Sequence, residues 1–182
     1  IVNVLANIAR INYAINTGGE GFILVEQQRT NLILQSGNLT DAYYSRGTAV
    51  VTANAGISPD GSNNAFKITR GGNNDNVFSG NYNPSLLLNH ARSIWAKTVS
   101  GTGQTSLCSH NSNTNNLFTI TNVWQRFEVN TYNSTGANFM SIVDFRAAGN
   151  TLTEILIYEP QAEVGASASS NIPTTNAAVT RN

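Results

Sequence analysis

Short runs of apolar, aromatic and β-branched residues recur along this chain about every dozen residues, each closed by Gly, Asn, Pro or Asp. They read GFILVE (21–26), NLILQS (31–36), TAVVTA (48–53), AFKIT (65–69), NVFSGNY (76–82), RSIWAKTV (92–99), TSLCSH (105–110), NLFTIT (116–121), WQRFEVNTY (124–132), FMSIVDF (139–145) and TEILIYE (153–159). No window sustains the three-to-four spacing of an amphipathic helix. NPSLLLNHAR (83–92) comes nearest and reads better as a connection into a strand. This punctuation predicts an all-β chain folded as an antiparallel sandwich or barrel.

Alternation within the runs assigns faces. In WQRFEVNTY, Trp124, Arg126, Glu128 and Asn130 fall on one side, and Gln125, Phe127, Val129 and Thr131 on the other. Phe127 and Val129 therefore turn to the core. In RSIWAKTV, Ile94 and Ala96 oppose Trp95 and Lys97 in the same way. A sheet that packs one face and wets the other would carry Trp95, Lys97, Arg126 and Glu128 on its wet side. An aromatic among a few polar groups is what a sugar platform needs. The alternative is that Trp95 and Trp124 are both packed core aromatics. The strand order that would unite the four residues is not written in the sequence.

At 182 residues the chain suits one domain with a core of its own. Residues 1–20 read as an N-terminal arm or hairpin, residues 21–160 as the β-domain, and residues 161–182 as a polar tail. Ile1 is not an initiator Met, which raises the expectation that the chain belongs to a longer or processed polypeptide.

Chemistry is sparse. Ten basic and ten acidic residues balance, and charged residues make up only 11% of the chain. Nucleic acid, which needs a basic face, is not an expected partner. A surface rich in Asn, Thr and Ser suits neutral partners instead, sugars or protein. No apolar stretch is long enough for a membrane-spanning helix. Cys108 is the only cysteine, so neither an internal disulfide nor a thiolate cluster is available, and it reads as a small buried residue. His90 and His110 lack ligands at metal spacing and read as surface or boundary residues. GTGQTS (101–106) lacks the Lys and following helix of a phosphate loop, and no G-x-S-x-G elbow is present. A glycosidase would need two carboxylates close together, which ten scattered acids do not announce. Within SPDGSNNA (58–65), Asp60 and Asn63 are candidate ligands of a structural Ca²⁺. The competing reading is a turn in which Asp60 bonds its own backbone. Asn38 and Asn133 open N-x-S/T sequons. No cofactor and no catalysis are expected.

Several stretches taken together resemble a known family. GFILVEQQRTNLILQS, ISPDGSNNAFKI, RSIWAKT, WQRFEV and PQAEVGASASSNIPTTNAAVTR occur in that order from Gly21 to Arg181. They resemble motifs of tailed-bacteriophage structural proteins that carry a carbohydrate-binding-module-like jelly roll on a tail fibre, head fibre or spike. The resemblance implies a two-sheet jelly roll at the virion surface. It also implies a homotrimer that binds host-surface polysaccharide or neighbouring virion proteins without catalysis. A capsid decoration or cement protein is the alternative, and a polysaccharide hydrolase or lyase a third. Relatives carry a Trp-Gly pair and an aromatic near the closing segment, where this chain has YEP and Asn171. Arg29 and Asn31 in RTNL are expected to pin backbone between strands. The tail from Gln161 to Thr175 is expected to be ordered, with Ile172 and Pro173 held against the sandwich or a neighbouring subunit.

Overall fold

The computed structural model describes residues 10–13, 21–24, 27–72, 75–82, 88–109, 116–132 and 139–181. The regular elements among them are all strands. In chain order they are β1 Arg10–Tyr13, β2 Gly21–Leu24, β3 Arg29–Asn31, β4 Val50–Thr52, β5 Phe66–Thr69, β6 Asn76–Phe78 and β7 Asn89–Lys97. There follow β8 Gly103–Leu107, β9 Leu117–Ile120, β10 Gln125–Tyr132, β11 Ser141–Asp144, β12 Glu154–Val164 and β13 Val179–Arg181. One antiparallel sheet has the order β10-β7-β12-β5-β4 and the other β6-β11-β8-β9. Together they form the all-β, two-sheet jelly-roll sandwich that the punctuation and the resemblance predict.

The alternation read from the sequence decides which residues enter the core. Ile68 of β5, Ile94 and Ala96 of β7, Phe127 and Val129 of β10, and Ile155 and Ile157 of β12 point inward from the larger sheet. They meet Leu107, Ile120, Ile142 and Val143 of the smaller one. The rings of Phe118 on β9 and Phe127 on β10 stand 5.1 Å apart, so the inner faces touch directly. Each of these side chains larger than alanine contributes about 1.5–3 kcal/mol on burial. Cys108 is buried among them, and burial pushes its thiol up to about 12, which removes it from thiolate chemistry.

Four local readings differ from expectation. Only Asn31 of NLILQS lies in a strand, and residues 34–37 turn. Side chains there take over the backbone groups a ladder would have used. Asn31 Oδ1 accepts the Ile33 N–H, and the Tyr44 hydroxyl donates to the Gln35 carbonyl. β2 pairs with β1 rather than with either large sheet. His90 is buried, because the strand begins earlier than the apolar run and carries it between β10 and β12. β12 continues through Pro160 to Val164 because its register shifts between Tyr158 and Gln161. Such a bulge tolerates a proline that a regular central strand would reject. His110 and Asn133 lie outside the described residues.

The closing segment returns along the sandwich. β13 pairs with β3, placing Arg181 opposite Arg29. Asn31 is fully buried and ties three segments together. Its Oδ1 accepts the Ile33 and Ala162 N–H groups, each at 3.1 Å, and its Nδ2 donates to the Ile172 carbonyl at 2.8 Å. Thr174 and Ser36 exchange bonds through backbone and hydroxyl. Ile172 and Thr174 are buried whereas Pro173 is exposed. An extended backbone turns alternate side chains outward, so Pro173 could not share the side occupied by Ile172.

Asp75 joins the loops before β4 and β6. Oδ1 accepts the Thr48 N–H (3.1 Å) and hydroxyl (2.7 Å), and Oδ2 the Gly71 (2.6 Å) and Gly72 (2.8 Å) N–H groups. Burial pushes its pKa upward, but the bonds from Thr48, Gly72 and Gly71 win and hold it at about 2. The unfolded chain then binds the extra proton first. The stabilisation is complete above the ordinary value of 3.8 and is lost as pH falls through about 2. The urea midpoint of the wild type is expected to fall through this window faster than that of Asp75→Asn. Parallel pH profiles for the two proteins would remove Asp75 from acid unfolding.

Candidate functional site

The pairing of β10 with β7 supplies the order that the sequence withheld. Arg126 lies directly opposite Trp95, and Trp95 is opposite Tyr158 of β12 on its other side. Directly opposed side chains sit about 5 Å apart at Cβ. One row away, Lys97 faces Leu156; one row the other way, Glu128 faces Ser93, which faces Gln161. Trp95, Lys97, Arg126 and Glu128 therefore share the outer face of the five-stranded sheet. Trp95 is half-buried between two core residues, Ile94 and Ala96, but stays outside the core itself. Trp124 is also half-buried, with the Lys97 ammonium 5.2 Å from its ring centroid.

Two segments cover the ends of this face. The loop 53–65 folds over one end, where the Trp124 indole N–H donates to the Ile57 carbonyl at 2.8 Å. The Tyr158 hydroxyl donates to Asp60 Oδ2, also at 2.8 Å. The tail covers the other end. The Ala168 N–H donates to Glu128 Oε1 (2.8 Å), the Ser169 N–H to Glu163 (2.9 Å), and the Ile172 N–H to Gln161 Oε1 (2.7 Å). Arg29 donates to the Val164 carbonyl at 3.1 Å, pinning the start of this tail. Between loop and tail, Trp95 and Arg126 remain half-exposed, with Arg126 Nη2 donating to Ser93 Oγ at 2.8 Å.

Asp60 is occupied by its own turn. Oδ1 accepts the Ser58 hydroxyl (2.6 Å) and the Ser62 N–H (2.7 Å), while Oδ2 accepts from Asn64 (3.1 Å) as well as Tyr158. These bonds, led by that from Ser58, hold its carboxyl well below the usual range. Asn63 is exposed on the same turn. The Ser62 N–H bond is the one that the turn alternative describes. Among the described residues no three His, Cys, Asp or Glu side chains converge on a metal position. Asn38 likewise closes its own turn, accepting the Thr40 N–H at 3.1 Å.

Sequence reasoning passed over Glu159. It sits in the β12 bulge with φ 43°, a left-handed conformation uncommon for Glu, and is only 8% exposed. Burial pushes its carboxyl up to about 7; Asp60 adds to this and the Tyr158 hydroxyl opposes it. The available signal was Glu-Pro inside an otherwise apolar strand, which marks an interruption of the ladder.

No family model matches the sequence, and no curated protein matches it either. Solved structures do. The CBM22-1 xylan-binding domain of Paenibacillus barcinonensis Xyn10C superposes with a TM-score of 0.50 at 13% identity, covering 78% of this chain and 94% of that domain. The CBM22-1–CBM22-2 tandem of Xyn10C gives 0.51 at 14% identity, over 75% of this chain and 46% of the tandem. Bacteriophage CBA120 tailspike protein 4 gives 0.46 at 12% identity, over 72% of this chain and 20% of the tailspike, too weak to carry weight. At such identities the likeness is one of fold. The chain has the jelly-roll sandwich found in carbohydrate-binding modules.

Proposed function

We propose that this chain is a non-enzymatic glycan-binding domain of a bacteriophage virion, a fibre or spike module that works as a homotrimer. The observation that carries the glycan reading is the union of Trp95, Lys97, Arg126 and Glu128 on one sheet face outside the core. Trp95 offers a ring for a sugar to stack on. Lys97 and the Ser93-anchored Arg126 supply hydrogen-bond donors, and Glu128 an acceptor beside the tail. The virion setting is supported by the ordered motifs from Gly21 to Arg181. In a glycan-array assay with purified protein, Trp95→Ala is expected to weaken binding by about tenfold or more, which corresponds to about 1.4 kcal/mol. Thermal unfolding should change little. Retained binding, or a large loss of stability, would remove Trp95 from the site.

A decoration or cement role is the second reading, favoured by the β1–β2 hairpin. That two-stranded sheet pairs with neither large sheet, and a ladder of two strands is marginal by itself in water. Its edges are suited to accept a strand from a neighbouring virion protein. Purified chain that binds capsid and no glycan would select this role.

A further inference from the structure

Glu159 combines three uncommon features in the bulge of β12, the middle strand of the larger sheet. Its backbone is left-handed, its side chain is nine-tenths buried, and its Oε2 is sealed from solvent without a hydrogen-bond partner. Backbone strain and an unsatisfied buried acceptor both disfavour the folded state. A bulge that retains both is a feature to be explained by what the group does.

The charged group facing Glu159 is Asp60, on the loop 53–65, and the hydroxyl between them is that of Tyr158 on its own strand. Cations of the surrounding strands have partners of their own. Lys67 of β5 pairs with Glu154 at 3.6 Å, Lys97 of β7 lies over Trp124, Arg126 of β10 bonds Ser93, and Arg29 of β3 bonds Val164. Among the described residues Asp60 is the charge that acts on the Glu159 carboxyl, so a negative charge there would be repelled by Asp60, the residue through which Tyr158 holds the loop.

We infer that Glu159 is a proton-operated latch: neutral, it lets the loop 53–65 close over Tyr158 and Leu156, and ionised, it draws in water and releases the loop. The Trp124–Ile57 bond is a further tie of the loop, and a Cβ added at Gly56 would stand 3.7 Å from Leu156 Cδ1, which places Gly56 beside that side chain. Opening uncovers the part of the outer face next to Trp95. Its consequence for ligand access rests on the glycan reading, but the latch itself does not.

The sign follows from proton linkage. The closed form holds the proton more tightly, up to about 7 against the ordinary 4.5, so closure is fully favoured below 4.5 and its advantage is gone above about 7. Asp60 remains ionised throughout this range and adds no step of its own.

Hydrogen exchange on the intact chain tests the latch. The Ser58, Ser62 and Ala65 amides are bonded within the loop to the Ser62 carbonyl, Asp60 and the Gly56 carbonyl respectively. Their protection factors, corrected for intrinsic exchange, should fall about 100-fold between about pH 5 and about pH 8, while β7 amides hold steady. In Glu159→Gln the fall should vanish with the loop closed throughout. In Tyr158→Phe the loop should already be poorly protected at about pH 5. A flat profile in the wild type, or an undiminished fall in either variant, overturns the latch. Glycan binding abolished by Trp95→Ala alongside a flat exchange profile would keep the glycan reading and discard the latch. The reverse pair of results would do the opposite.

Discussion

Asn31→Ala is expected to destabilise the domain by about 3–5 kcal/mol, an unusually large loss for one polar side chain. The amide is fully buried and serves as donor and acceptor at once. Without it, the N–H groups of Ile33 and Ala162 and the carbonyl of Ile172 lose their partner in a site water does not reach. Each orphaned group costs about 1–3 kcal/mol. Three segments depend on the same side chain: the turn after β3, the C-terminal half of β12, and the tail. Urea unfolding measures the loss, and proteolysis should show the tail cut earlier than in the wild type. A change below about 1 kcal/mol would mean that the backbone finds other partners.

Gly71→Ala is expected to cost about 2–4 kcal/mol for a different reason, the absence of room. A Cβ there would stand 2.2 Å from the Thr48 carbonyl oxygen and 2.9 Å from its carbon. Both atoms are backbone and cannot rotate away. The loop must shift, and with it the Gly71 and Gly72 N–H groups that hold Asp75. Gly61→Ala provides the contrast. Gly61 has φ +85° with nothing within 4 Å of the added carbon, so only conformational strain of about 1 kcal/mol is expected. Equal losses at the two positions, read by urea unfolding, would show that crowding at Gly71 is relieved cheaply.

The parts of this fold legible in the sequence are those set by two-residue alternation. Phe127 and Val129 turn inward, and Trp95 and Arg126 outward, because a strand with one buried face has no other way to place them. Strand order was not legible, since alternation is local while the β10–β7 and β7–β12 pairings join residues far apart in the chain. The turn at residues 34–37 was misread because Leu32 and Ile33 look like strand. The deciding group is the side chain of Asn31, bonded to partners over a hundred residues away. Glu159 was missed for a related reason. A charged residue at the end of an apolar run looks like a solvated strand terminus, and only the continuation of β12 past Pro160 encloses it.

The β3–β13 ladder has a mechanical meaning. Its strands are antiparallel, and the pair Arg29–Arg181 stands at the end from which the chain enters and leaves. A pull applied upstream of Arg29 and downstream of Arg181 therefore opens the ladder one rung at a time, Arg29–Arg181 before Thr30–Thr180, rather than shearing all rungs together. Asn31 comes next, and behind it the Thr174–Ser36 bonds. Tension would peel the tail from the sandwich in that sequence while the two large sheets stay folded, giving the domain a length of chain to yield before its core is strained.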